Sequence, residues 1–155
     1  MTDTQTVPPG ADTIIVPCPH CGAQNRVPTA RLDQHGKCGR CHQDLFAGHP
    51  IVLNRGNFDR HAGAELPLLV DFWAAWCGPC KVMAPVFEAA AADYEPRLRF
   101  GKVDVDAEPE LAARFQTRSI PTLILFKGGL EIARVSGALP GQALRQWIDR
   151  HLPRR

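Results

Sequence analysis

The 155-residue sequence contains no long apolar run. Nothing in it approaches the roughly 18 consecutive apolar residues of a membrane-crossing helix, so no membrane association is expected. Its first residues, MTDTQTVPPGADTIIV, have no basic stretch, and their apolar run stops after three residues. That argues against a secretory leader. No five like charges occur in succession, and 18 basic residues against 16 acidic ones leave a net charge of +2. Neither a nucleic-acid tail nor a segment for acidic membranes is therefore indicated. The dinucleotide fingerprint G-x-G-x-x-G does not occur, so no nucleotide is expected to bind this chain. No internal repeat is seen beyond a recurring cysteine pair. With 45% apolar and 22% charged residues, the expectation is a soluble, globular, cytoplasmic protein.

What is present is a set of six cysteines, all in C-x-x-C pairs: Cys18/Cys21 in CPHC, Cys38/Cys41 in CGRC and Cys77/Cys80 in CGPC. Disulfides within such pairs close tiny loops and staple nothing distant, because stabilisation rises with loop length. A reducing compartment fits better, and there clustered cysteines serve metal binding or catalysis.

Composition divides the chain into a polar tail (1–12), a cysteine- and histidine-rich segment (13–49) and a longer apolar part (50–153). The middle segment is too short and too poor in large apolar residues to fold unaided. Cys18, Cys21, Cys38 and Cys41 form C-x2-C-x16-C-x2-C, the spacing of a tetrahedral zinc site. One structural zinc ion on these four thiolates would supply the missing stability, about 10–16 kcal/mol of apparent binding energy. Two redox pairs or free thiols are the alternatives. Gly22 and Gly39 follow Cys21 and Cys38 and would give the knuckles backbone freedom. His20 and His42 are read as solvated loop residues, since four thiolates already fill the tetrahedron. Arg26, Arg31, Lys37 and Arg40 are offset by Asp12, Asp33 and Asp44. Without a basic face, this zinc-ribbon-like domain is expected to be structural or to dock partners rather than bind nucleic acid.

The third part alternates strand and helix. PLLVDFWA (67–74) reads as a strand buried on both faces. Met83, Val86, Phe87, Ala90 and Tyr94 fall at helical spacing until Pro96. RFGKVDVD (99–106) reads as a strand and PELAARF (109–115) as a helix with proline in its first turn. TLILF, KGG and LEIARVS (122–136) read as a hairpin, and Leu144, Trp147, Ile148 and Leu152 as one face of a closing helix. The order predicts an α/β fold, a mixed sheet with helices on both faces. PIVLNRGNFDRHAG is expected to add an edge strand and a short helix.

Cys77 and Cys80 follow the apolar strand and open a helix. There the unpaired N–H groups and the dipole favour a thiolate on Cys77, while Cys80, about one turn in, is expected to be the more buried. Pro79 suits a first helical turn. The arrangement makes an attacking thiol and a resolving thiol.

VDFWAAWCGPCK resembles the active-site signature of the thioredoxin family, and SIPTLILFKGG (119–129) resembles its second conserved segment. The match spans about Ile51 to Leu152. With the four-cysteine segment in front, the whole chain resembles the zinc-binding form of that family. Ala75 departs from the Pro or acidic residue common there, which removes no reactive group. The resemblance implies a thioredoxin fold and a protein-disulfide reductase in cell redox homeostasis, with Cys77 as nucleophile and Cys80 as resolving cysteine of a redox-active disulfide. Asp71 would accept the proton of Cys80, its pKa raised by desolvation. Lys102 would stand near that aspartate. Pro121 would be a cis proline. Trp76, Gly78, Pro79, Ile120, Pro121, Gly137 and Ala138 would form an apolar surface for substrates. The implied partners are disulfide-containing target proteins and an NADPH-dependent flavoprotein thioredoxin reductase, with this chain a monomer. Two other readings are a redox-sensing zinc-thiolate protein and a zinc-ribbon nucleic-acid adaptor.

Overall fold

The computed structural model describes residues 12–153, so the predicted tail lies outside the described residues except for Asp12. The carbonyl of Asp12 accepts the Thr29 N–H at 3.1 Å.

Two strands, β1 (Thr13–Pro17) and β2 (Gln24–Pro28), pair antiparallel and form the scaffold of the cysteine-rich segment. A single 3-10 turn (Thr29–Arg31) follows β2, and the remaining elements are β3 (Ile51–Val52), α1 (Phe58–Ala62), β4 (Leu68–Trp73), α2 (Gly78–Tyr94), β5 (Arg99–Asp104), α3 (Pro109–Arg114), β6 (Thr122–Lys127), β7 (Leu130–Ser136) and α4 (Gly141–His151). The five strands of the larger sheet run in the order β3-β5-β4-β6-β7. β4 lies parallel to β5 and antiparallel to β6, giving the mixed sheet that the element order predicts.

β4 is central and buried on both faces. Its side chains alternate as a strand's must. Leu68, Val70 and Phe72 join one core with Phe58, Leu111, Ile124 and Phe126, on the side of α1 and α3. Leu69 joins the other with Met83, Phe87, Leu123 and Leu144, on the side of α2 and α4. Asp71, two residues from Leu69, therefore faces the α2 side. That alternation places one carboxylate on the face of the sheet that α2 and α4 cover.

Candidate active site and metal centre

Helix α2 begins immediately after Cys77, its N-cap. The Cys77 Sγ accepts the Cys80 backbone N–H at 3.2 Å, satisfying one of the orphan donors of the first turn. Pro79 occupies the first turn, where its missing N–H leaves no helical bond unmade. Cys77 and Cys80 form a disulfide with their Cα atoms 5.3 Å apart. They are 4% and 3% exposed. The expected contrast in burial is thus absent. Both cysteines share one buried cluster with Ala74, against which Trp73, Val105 and Ile120 pack, so position in the helix does not decide their exposure.

Asp71 is 1% exposed, and its Oδ1 has no hydrogen-bond partner. Desolvation pushes its pKa up to about 7, against a smaller opposing pull from Lys102. Lys102 pairs with Asp71 across the strands. Its ammonium lies 4.6 Å from the centre of the Trp73 ring, a cation–π contact, and it makes no ion pair with Asp71. The carboxyl thus titrates near neutral pH, so both its ionised form, which accepts a proton, and its protonated form are present there, as a working acceptor requires.

The Ile120–Pro121 bond is cis. The Ile120 carbonyl oxygen lies 3.8 Å from the Cys77 Sγ. Gly137, at φ +99, donates its N–H to the Pro121 carbonyl at 2.8 Å and so fastens the end of β7 to this loop. Thr122 Oγ1 donates to the Ser119 carbonyl and lies 2.9 Å from Ser136 Oγ, which adds a second tie. Gly78, Pro79, Gly137 and Ala138 are exposed, Ile120 is half-buried and Pro121 buried. Trp76 is 69% exposed, yet its indole N–H donates to Asp106 Oδ2 at 2.9 Å. A large apolar ring is thereby held open to solvent beside Cys77. Val105 and Asp106 were not singled out from the sequence. Their alternation in KVDVD marks a strand, and nothing in it shows that the strand's end meets Trp76 and Cys77.

The other four cysteines converge. Their sulfurs lie within 4.8 Å of one another. Cys18 to Cys41 and Cys21 to Cys38 are each 3.6 Å. Sulfurs bound to one zinc ion at ~2.3 Å in a tetrahedron sit about 3.8 Å apart, so the donor set fits. The two knuckles repeat one backbone pattern. Cys18 Sγ accepts N–H groups of His20 and Cys21, and Cys38 Sγ those of Arg40 and Cys41. The Gly22 N–H returns to the Cys18 carbonyl and the His42 N–H to that of Cys38. Gly22 has φ +79, as a knuckle glycine should. In the second knuckle the left-handed residue is His42, at φ +66, and not Gly39. The turn needs that conformation after the second cysteine, and Gly39 follows the first. His20 and His42 are both exposed.

This module sits at the far end of the sheet from Cys77. Arg99, which pairs with Leu68 at the start of β4, contacts it, whereas Cys77 follows the end of that strand. A six-residue strand separates the two by about 17 Å.

Two family models match the chain, "Thioredoxin" over residues 49–150 and "Thioredoxin 2, N-terminal" over residues 17–43. Thioredoxin C-3 of Corynebacterium nephridii is 49% identical over 140 residues, covering 90% of this chain and 96% of that protein. A thioredoxin of Staphylococcus aureus strain Mu50 is 52% identical over 102 residues, 66% of this chain and 97% of that one. Among solved structures, a mutant thioredoxin from Halobacterium salinarum NRC-1 matches with a TM-score of 0.62 at 30% identity, covering 70% of this chain and 95% of that one.

Proposed function

The chain belongs to the thioredoxin family, with that family's fold behind a metal-binding N-terminal module, and from this premise we propose how its residues divide the work. It is a protein-disulfide reductase. The observation that carries the assignment is the Cys77–Cys80 disulfide at the N-terminus of α2.

In the reduced protein the Cys77 thiolate is stabilised by the helix terminus and attacks one sulfur of a target disulfide. The target's S–S bond breaks, a mixed disulfide forms on Cys77, and the departing target thiolate takes up a proton from solvent. Cys80 then loses its proton to Asp71 and attacks the Cys77 Sγ. The second target thiolate leaves, and the Cys77–Cys80 disulfide forms. Two electrons have passed to the target. Burial supports the role of Asp71, because a carboxyl with a pKa of about 7 exchanges protons readily near neutral pH. Lys102 tempers that shift by its charge. Trp76, Gly78, Pro79, Ile120, Pro121, Gly137 and Ala138 offer the apolar seat for the target backbone. Partners of this class are disulfide-bearing proteins and a thioredoxin reductase. We assign the latter to the NADPH-dependent flavoprotein type, and this chain to a cytoplasmic monomer. No helix among the described residues is long and apolar enough to cross a membrane.

The metal of Cys18, Cys21, Cys38 and Cys41 is assigned as one zinc ion. Bound there, it would supply a cross-link between the two knuckles. We place the metal module at 13–49 and the catalytic body at 50–153. Because the module lies a strand's length from Cys77, its role is support of the fold, and contacts with large targets are secondary. Reduction of insulin disulfides, assayed with zinc content, tests the assignment. The wild type is expected to be active and to hold zinc, and Cys77→Ser to hold zinc and be inactive. An active Cys77→Ser protein would exclude the mechanism.

A further inference from the structure

Arg99 belongs to the catalytic sheet but is buried in the metal module. Its residue is 3% exposed. Nη1 donates to the Pro17 carbonyl at 2.9 Å and Nη2 to the Leu45 carbonyl at 2.8 Å. Pro17 immediately precedes the first metal-site cysteine, and Leu45 packs with Cys18 and Cys38 just past the second knuckle. One rigid guanidinium therefore holds the chain on both sides of the cysteine cluster. Its Cζ lies 4.9 Å from the Phe46 ring centre. Nε has no partner.

A buried guanidinium requires compensation for its lost hydration. Among the described residues no carboxylate stands within ion-pair distance of Arg99. Glu95 attracts it from farther away, as does the Cys18 thiolate. His61, buried beside it, adds no negative charge. Four thiolates around one divalent cation carry a net charge of two minus. A cationic fork delivered against that cluster complements its charge, and the cluster adds to the compensation that Glu95 gives the fork from a distance.

We propose that Arg99 is a supporting residue of the metal centre, supplied by the catalytic body, which clamps both knuckles and balances the charge of the metal-loaded tetrathiolate. The proposal rests on the metal reading above. Its consequence is linkage. Metal binding and closure of the module onto the catalytic sheet are one event, because each removes a charge or a carbonyl that the other would leave buried and unpaired. The surrounding contacts fit such a joint. Leu66 of the catalytic body completes a core with Ile14, Val16 and Leu32 of the module. The Ile15 N–H reaches Glu65 Oε2 at 3.1 Å, and the Gly48 N–H reaches Glu95 Oε1 at 2.8 Å. The Arg60 side chain lies against Gly22 of the first knuckle so closely that a Cβ there would come within 2.8 Å of it.

The test uses the full chain and zinc itself as probe. Zinc affinity is measured by competition with a chromophoric chelator for wild type, Arg99→Met and Arg99→Lys, with amide hydrogen exchange over residues 13–45 of each zinc-loaded protein. Loss of two charge-assisted hydrogen bonds is expected to weaken zinc binding on the order of tenfold or more in Arg99→Met. Arg99→Lys, which keeps the charge without the fork, is expected to fall between. Exchange in the module should rise in the same order, while reduction of a small disulfide stays at the wild-type rate and reports an intact catalytic body. Zinc held by Arg99→Met within about twofold of wild type would overturn the clamp and leave the metal reading standing. Should Arg99→Met not fold, wild-type affinity and exchange in Arg99→Lys would overturn it equally. A wild-type protein that binds no zinc would overturn the metal reading, and this proposal with it.

Discussion

Replacing Asp71 with Asn keeps the side chain's shape and removes its charge. In the folded protein burial raises the Asp71 pKa from 3.8 to about 7. Between those values the unfolded chain is ionised while the folded one holds its proton. The native state then binds more protons, so stability falls as pH rises through this window. Three pKa units at ~1.36 kcal/mol each make the full penalty about 4 kcal/mol, an upper figure. Asn carries no such penalty. Its stability advantage over the wild type should therefore grow by about 2 kcal/mol between about pH 5.5 and about pH 8, and flatten above that. Urea unfolding of the oxidised proteins reads this directly, because the disulfide removes Cys77 and Cys80 from the titration. Reduction of a protein disulfide should slow in the same variant, and the acid limb of its pH–rate profile should change. A charge held for catalysis at the expense of stability predicts these opposite signs. A stability difference that is the same at both pH values would refute the reasoning, since a solvated or ion-paired aspartate behaves that way.

Three further outcomes are expected. Elemental analysis of protein purified under reducing conditions should give one zinc per chain, unchanged in a Cys77→Ser/Cys80→Ser variant; loss of zinc there would reassign the ligands. Deleting residues 1–49 should leave reduction of a small disulfide intact but expose Leu66, now 3% exposed, and lower thermal stability by roughly 2 kcal/mol or more; a truncated chain inactive even on the small disulfide would end the claim of an independent catalytic body. Trp76→Ala should raise KM for a protein disulfide by about tenfold while sparing a small one, and equal effects on both would count against a docking role for the indole.

Much of this was legible in the residues. The run LLVDFW shows a strand with no polar face, and one aspartate inside it has to be buried. The cysteine spacings separate a tetrahedral site from a helix-opening pair. Pro85, inside α2, left no trace in the periodicity because Met83, Phe87 and Ala90 carry the buried stripe past it. What stayed hidden is what arises between elements. Arg99 reads as one residue of an alternating strand, and its burial depends on a module whose backbone carbonyls it meets. Asp106 reads as surface charge until the fold brings the Trp76 indole to it. The left-handed turn at His42 follows from the knuckle's repeat and not from residue type.

The central claim is that Cys77 attacks and Cys80 resolves. Incubating the reduced Cys80→Ser and Cys77→Ser proteins with disulfide-bearing targets, then separating adducts without reductant and identifying the linked cysteine by mass spectrometry, tests it most directly. Targets should accumulate on Cys77 in Cys80→Ser and fail to accumulate in Cys77→Ser. Equal trapping by both variants, or adducts on Cys18, Cys21, Cys38 or Cys41 in their place, would contradict the account.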